Sequence, residues 1–119
     1  MVFKGISRVF SLSNNEQYET IGQFWDDMAA IYGLENLQGL GYIWKNGHIA
    51  YAIGLKSGNI EGYNVSIGLP DDGWVTVKGE TANLKQLYDE IYKGGVLKFE
   101  IETFYENGTC EIRYYRTAD

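Results

Sequence analysis

The chain has 119 residues, 45% hydrophobic and 22% charged, with ten Lys and Arg against sixteen Asp and Glu for a formal net charge of −6. That length makes one domain around one core, and the composition excludes disordered and collagen-like chains. A pI near 4.7, with no cluster of Lys or Arg, excludes the phosphate neutralisation that direct nucleic-acid binding requires.

In chain order, Phe3 to Leu12 is β-branched and aromatic and runs into Ser13-Asn14-Asn15, which predicts a strand followed by a helix cap. From Tyr18, the residues Ile21, Phe24, Trp25, Met28 and Ile31/Tyr32 recur every three or four positions and predict a helix ending at Gly33, with Trp25 and Met28 in the core and Asp26-Asp27 toward solvent. Gly39 to Trp44 and His48 to Leu55 flank Asn46-Gly47, a dipeptide suited to the positive φ angles of a two-residue hairpin turn. A further strand is expected within Gly62 to Leu69, closed by the turn Pro70-Asp71-Asp72-Gly73. Trp74 to Lys78 predicts a short strand. Thr81 opens a second helix with the stripe Leu84, Leu87, Tyr88 and Ile91, stopped at Gly94-Gly95. Leu97 to Tyr105 and Thr109 to Arg116 around Asn107-Gly108 predict a second hairpin of the same kind.

The order strand, helix, hairpin thus occurs twice, over about residues 1–57 and about 73–117 of a single domain. Trp44-Lys45-Asn46-Gly47-His48-Ile49 aligns with Tyr105-Glu106-Asn107-Gly108-Thr109-Cys110. Units of this size cannot each close a core. The expected fold is therefore α+β: duplicated β-α-β-β units share an antiparallel sheet about a pseudo-twofold axis, with helices on one face and a ligand cleft on the other.

Two-residue turns fix cross-strand partners, and partners share a face. In the first hairpin this pairs Trp44 with Ile49, Tyr42 with Tyr51 and Leu40 with Ile53 toward the helices. It leaves Ile43, Gly41, Gly39, Ala50 and Ala52 as a small-residue floor on the other face. In the second, Tyr105 pairs with Cys110, Thr103 with Ile112 and Ile101 with Tyr114 toward the helices, with Phe99 on the same side. Phe104 with Glu111, Glu102 with Arg113 and Glu100 with Tyr115 occupy the opposite face. Strand parity adds Trp74 there, since Val75 and Val77 belong to the core. A carboxylate between aromatic rings suits a lipophilic cation, through Coulomb attraction and cation–π energies of about 0.5–2 kcal/mol. The competing reading is a Glu102–Arg113 ion pair on a solvated face, worth about 0–1 kcal/mol. Eighteen aromatic residues, ten of them Tyr, are in keeping with a half-polar strand face or a pocket.

The duplicated unit, the helix entry Ile21-Gly22-Gln23-Phe24-Trp25 and the penultimate strand Phe99-Glu100-Ile101-Glu102-Thr103-Phe104 together resemble the GyrI-like, or AraC-type effector-binding, domain. The resemblance covers nearly the whole chain, which departs from many members in its tight Asn-Gly hairpins. It implies a bacterial small-molecule-binding domain for multidrug or xenobiotic ligands, with a Glu of the penultimate strand as counter-ion. Glu102, two residues before Phe104, matches that pattern best, and Glu100 is the second choice.

The remaining chemistry-bearing residues have ordinary roles. His48 beside the turn reads as an exposed hairpin residue, and Cys110 as a small buried hydrophobe. Ser11, Ser13 and Thr81 read as caps. No metal constellation, P-loop or dinucleotide fingerprint is present, and no cofactor is expected. The lone cysteine suits a reducing compartment, the start Met1-Val2-Phe3-Lys4 does not resemble a signal peptide, and no apolar run approaches the ~20 residues of a membrane span. A cytoplasmic location away from membranes is expected.

The leading expectation is a sensor or sequestering domain for a planar, cationic small molecule, bound by Glu102, Glu100, Trp74, Phe104, Tyr115, Arg113, Ile43 and Gly41. A transcriptional role would come through a partner chain, since no helix-turn-helix is visible. A second expectation, also implied by the resemblance, is a hydrolase of strained-ring genotoxins with Glu102 as its catalytic carboxylate. A third is an acidic modulator that meets a basic enzyme such as gyrase. A protein partner or a second copy of the chain fits any of the three.

Overall fold

The apolar stripe beginning at Tyr18 forms the buried side of helix α1 (Gln17–Tyr32), where Phe24, Trp25 and Met28 are buried. The second stripe forms helix α2 (Leu84–Lys93), which buries Tyr88 and Ile91. A computed structural model describes residues 1–116 and adds seven strands: β1 (Val2–Ser11), β2 (Leu37–Lys45), β3 (His48–Leu55), β4 (Val65–Gly68), β5 (Val75–Glu80), β6 (Leu97–Phe104) and β7 (Thr109–Arg116). Residue 117 of the expected second unit lies outside the described residues.

All strands join one antiparallel sheet of order β4-β1-β3-β2-β6-β7-β5. From the β2·β6 seam outward, the order is β2, β3, β1, β4 on one side and β6, β7, β5 on the other. Both helices lie on the same face. Helix α1 packs through Phe24, Trp25 and Met28 against Leu37, Tyr51 and Ile53. Helix α2 packs through Tyr88 and Ile91 against Ile112 and Leu97, with Leu87 over Gly79. The back of the sheet carries Phe3, Leu40, Ala52, Phe99 and Ile101, closed over by Leu69 and Trp74. No helix among the described residues is long and apolar enough to cross a membrane.

Two local features move the register away from the expected pairing. Hairpin β2–β3 has the expected turn, with Asn46 at φ 53° and Gly47 at φ 73°, and Trp44 stands opposite Ile49. A bulge at Tyr42 then shifts the ladder, so that Gly41 meets Tyr51, Leu40 meets Ala52 and Gly39 meets Ile53. Tyr42 and Leu40 consequently face the back core, where the Tyr42 hydroxyl lies 2.6 Å from Ser7 Oγ.

Hairpin β6–β7 departs at its turn. Only Gly108 takes a positive φ, at 88°. Its N–H donates to Tyr105 O at 3.1 Å and Tyr105 N–H donates to Thr109 O at 3.0 Å, the pattern of a type I turn followed by a glycine bulge. Asn107 Oδ1 accepts both the N–H and the hydroxyl of Thr109, at 3.0 and 2.6 Å, and holds the extra residue in place. Phe104 therefore pairs with Cys110, Glu102 with Ile112 and Ile101 with Arg113. A slip of one residue exchanges the faces of a strand. It turns Glu100, Glu102 and Phe104 toward the helices and separates Glu102 from Arg113, so the expected ion pair does not form.

Smaller expectations also change. Neither helix has a side-chain cap; α1 is entered through a 3-10 turn at Ser13–Asn15, and Ser11 Oγ instead accepts Ser13 N–H at 3.2 Å. Val75, expected in the core, is exposed. His48 is exposed and Cys110 is buried and free, as the sequence indicates.

Candidate functional site

Because α1 covers one half of the sheet and α2 the other, the β2·β6 seam between them has no helix directly over it. The seam is lined with glycines from one strand and acids from the other: Gly39 stands opposite Glu102 and Gly41 opposite Glu100. Glycine is needed at both places. A Cβ on Gly39 would run into the Tyr51 hydroxyl and lie 2.9 Å from Trp25 Cζ2, and one on Gly41 would lie 2.9 Å from Glu100 Cγ. Above this floor is a cleft of about 420 Å³, a volume suited to a drug-sized ligand. The cleft thus lies on the helical face, contrary to the sequence-based expectation of the opposite one.

Its walls are aromatic. Trp25 and Tyr18 come from α1, Tyr88 and Tyr92 from α2, Tyr51 from β3 and Phe104 from β6. Trp25 and Phe104 pack edge to face with ring centroids 4.8 Å apart. A chain of hydrogen bonds ties α1 to the floor: Trp25 Nε1 donates to the Tyr51 hydroxyl at 2.7 Å, and that hydroxyl donates to Glu102 Oε1. On the other side the Tyr92 hydroxyl donates to Glu100 Oε2 at 3.2 Å.

Both acids are 4% exposed, and neither has a cationic partner among the described residues. No Lys, Arg or His lines the cleft. Loss of solvation pushes the Glu100 carboxyl well above its ordinary value, and the charge of Glu102 raises it further, against the Tyr92 hydrogen bond. Glu102 is raised by the same burial, partly offset by the Tyr51 and Tyr88 hydroxyls. The Tyr88 oxygen approaches Glu102 outside hydrogen-bond geometry and is buried without a partner. Tyr18 is pushed up to about 12 by burial, with the charges of Asp89, Glu100 and Glu102 adding to it. No group of three or more His, Cys, Asp or Glu among the described residues could hold a metal ion.

Of the residues expected at the site, Glu102, Glu100 and Phe104 line the cleft, and Gly41 lies opposite Glu100 on the neighbouring strand. Trp74, Tyr115 and Arg113 lie on the back of the sheet, where the Arg113 guanidinium sits 5.2 Å over the Trp74 ring and Tyr115 packs 5.7 Å from it. Ile43 is exposed on that same back face, opposite Ala50. These four occupy the face the sequence assigned to them; Glu100, Glu102, Phe104 and Gly41 are the residues that the two bulges turn to the other side. Trp25, Tyr51, Tyr88 and Tyr92 were not among the expected site residues; the surplus of Tyr was the one sequence signal for the three tyrosines, and Trp25 had none. Trp74→Ala should lower stability by about 2–4 kcal/mol through the back core and leave affinity for a cleft ligand unchanged, as checked by urea unfolding and ligand titration of one preparation.

Comparison with family models, with curated proteins and with solved structures finds no match to the chain.

Proposed function

We propose that the cleft between α1 and α2 binds a lipophilic aromatic cation and that Glu102 is its counter-ion. The carrying observation is the pair of buried carboxyls without a cation beside them, at the base of an aromatic-walled cleft. Taking an ionised carboxyl out of water costs several kcal/mol unless it is paired, so an empty cleft favours the protonated acids. A guest that brings its own positive charge restores the ionised form, and its apolar body replaces water against the rings. Each ring face it covers adds about 0.5–2 kcal/mol of cation–π energy.

In this reading the chain is a GyrI-like sensor or sequestering domain. Its two halves are copies of one β-α-β-β unit, which accounts for the same strand order running outward from the seam on both sides. Titration with a panel of aromatic cations, followed by dye fluorescence or thermal shift, tests it. Glu102→Gln should weaken cation binding about 10- to 100-fold and leave a neutral aromatic of the same shape little affected. Equal affinity of wild type and Glu102→Gln for every cation would refute the counter-ion role.

The raised Glu100 carboxyl favours one second reading. A carboxyl that keeps its proton more readily than usual suits a general acid, which could protonate the carbonyl oxygen conjugated to a cyclopropane as water attacks the ring carbon and the strained C–C bond breaks toward that oxygen. Mass spectrometry of a cyclopropane-bearing aromatic incubated with the protein decides it, since product at no more than the buffer rate removes hydrolysis.

A further inference from the structure

Glu100 and Glu102 lie on the same face of β6, two positions apart in a regular stretch of strand, which spaces their Cα atoms about 7 Å apart. Each is met by its own phenol. Tyr51 donates to one oxygen of Glu102, and Tyr92 donates to one oxygen of Glu100. A donated hydrogen bond favours the ionised carboxyl and so offsets part of the burial that raises each acid, which eases ionisation when a cation arrives. The second oxygen of each takes no hydrogen bond from a protein donor among the described residues.

A separate observation points to a missing guest. Tyr88 is 4% exposed, lines the same cleft, and its hydroxyl has no partner. Buried hydroxyls are nearly always satisfied, and this one, unpartnered in the cleft wall close to Glu102, is a polar contact left for a guest that meets that acid.

We infer that the cleft is built for a dication, a flat apolar frame with two protonated nitrogens about 7 Å apart, one for each acid. This rests on the cation-binding reading above and names its ligand class. A monocation answers only one of the two acids, and the other must then keep a proton. An aromatic diamidine or diamine answers both, while Tyr88 completes the set by hydrogen bonding to the guest.

Calorimetric titration at pH 8 with benzamidine and with terephthalamidine, which carries a second amidinium across the same ring, tests the inference. Terephthalamidine should bind at least about tenfold tighter. In buffers of different ionisation enthalpy it should also release more protons than benzamidine does. Glu100→Gln should bring the two affinities to within about threefold. Equal affinities in the wild type, or an advantage that persists in Glu100→Gln, would overturn the inference and leave the cation-binding reading intact. Binding of other aromatic cations but of neither amidine would do the same, and binding of no cation at all would overturn both. If Glu100→Gln fails to fold, the wild-type proton count decides: equal release by both ligands overturns the dication.

Discussion

At pH 8 the Glu100→Gln protein is expected to be about 2 kcal/mol more stable to urea than the wild type, and near pH 4 the two should be equal. The sign follows from burial. A carboxyl that ionises less readily in the folded protein than in the unfolded chain binds its proton more tightly when folded. The stability it contributes is full below the ordinary carboxyl value of 4.5 and is lost as pH rises through the higher folded value. Burial raises the Glu100 carboxyl most, the charge of Glu102 on the same strand adds to it, and the hydrogen bond from Tyr92 on α2 opposes it; the neighbouring hydroxyls of Tyr18, Tyr51 and Tyr88 are themselves raised. Glutamine keeps the shape and the Tyr92 hydrogen bond but carries no charge, so it removes the penalty only where the acid would ionise. Urea unfolding at several pH values measures the difference, and a gain that does not change with pH would place its origin outside ionisation. The same substitution should weaken binding of the dication, which would make Glu100 a residue whose stability cost is kept for function.

The largest loss of stability is expected from Gly39→Ala, about 3–5 kcal/mol or failure to fold. The added methyl would be driven into the Tyr51 hydroxyl and against the Trp25 ring, two rigid aromatic groups fixed by the hydrogen bond between them. Neither can turn aside without breaking the chain from Trp25 through Tyr51 to Glu102. Truncating one obstacle should recover part of the loss, so Gly39→Ala with Tyr51→Leu should cost less than the sum of the single substitutions. Urea unfolding of the three variants measures that coupling, and simple additivity would show that the close approach is not the source of the damage. Gly41→Ala should be milder, because Glu100 is a longer and more yielding neighbour than Tyr51.

These two positions also mark the limit of what local pattern could disclose. The three- and four-residue spacings in both helices, and the Asn-Gly pairs in both hairpins, were enough to place every long element within a few residues. Glu100 and Glu102 stood out as acids in an otherwise apolar strand, and Gly39 and Gly41 as vacancies in another. Their meeting at one seam was also legible, since a shared sheet brings the inner strands of the two hairpins together.

The sequence by itself therefore determined the elements, an antiparallel α+β domain, and the juxtaposition of glycines with carboxylates. Only the tertiary structure decided which face of the sheet they occupy. Face depends on register, and a single extra residue inverts it. Tyr42 supplies one such residue, drawn to the back core and to Ser7, and the turn held by Asn107 and Thr109 supplies the other. Neither bulge alters a periodicity or a turn dipeptide, because each arises from where a side chain finds its partner once the sheet has closed. That is why Glu102 faces Tyr51 beneath the helices, while Trp74, Arg113 and Tyr115 lie behind it.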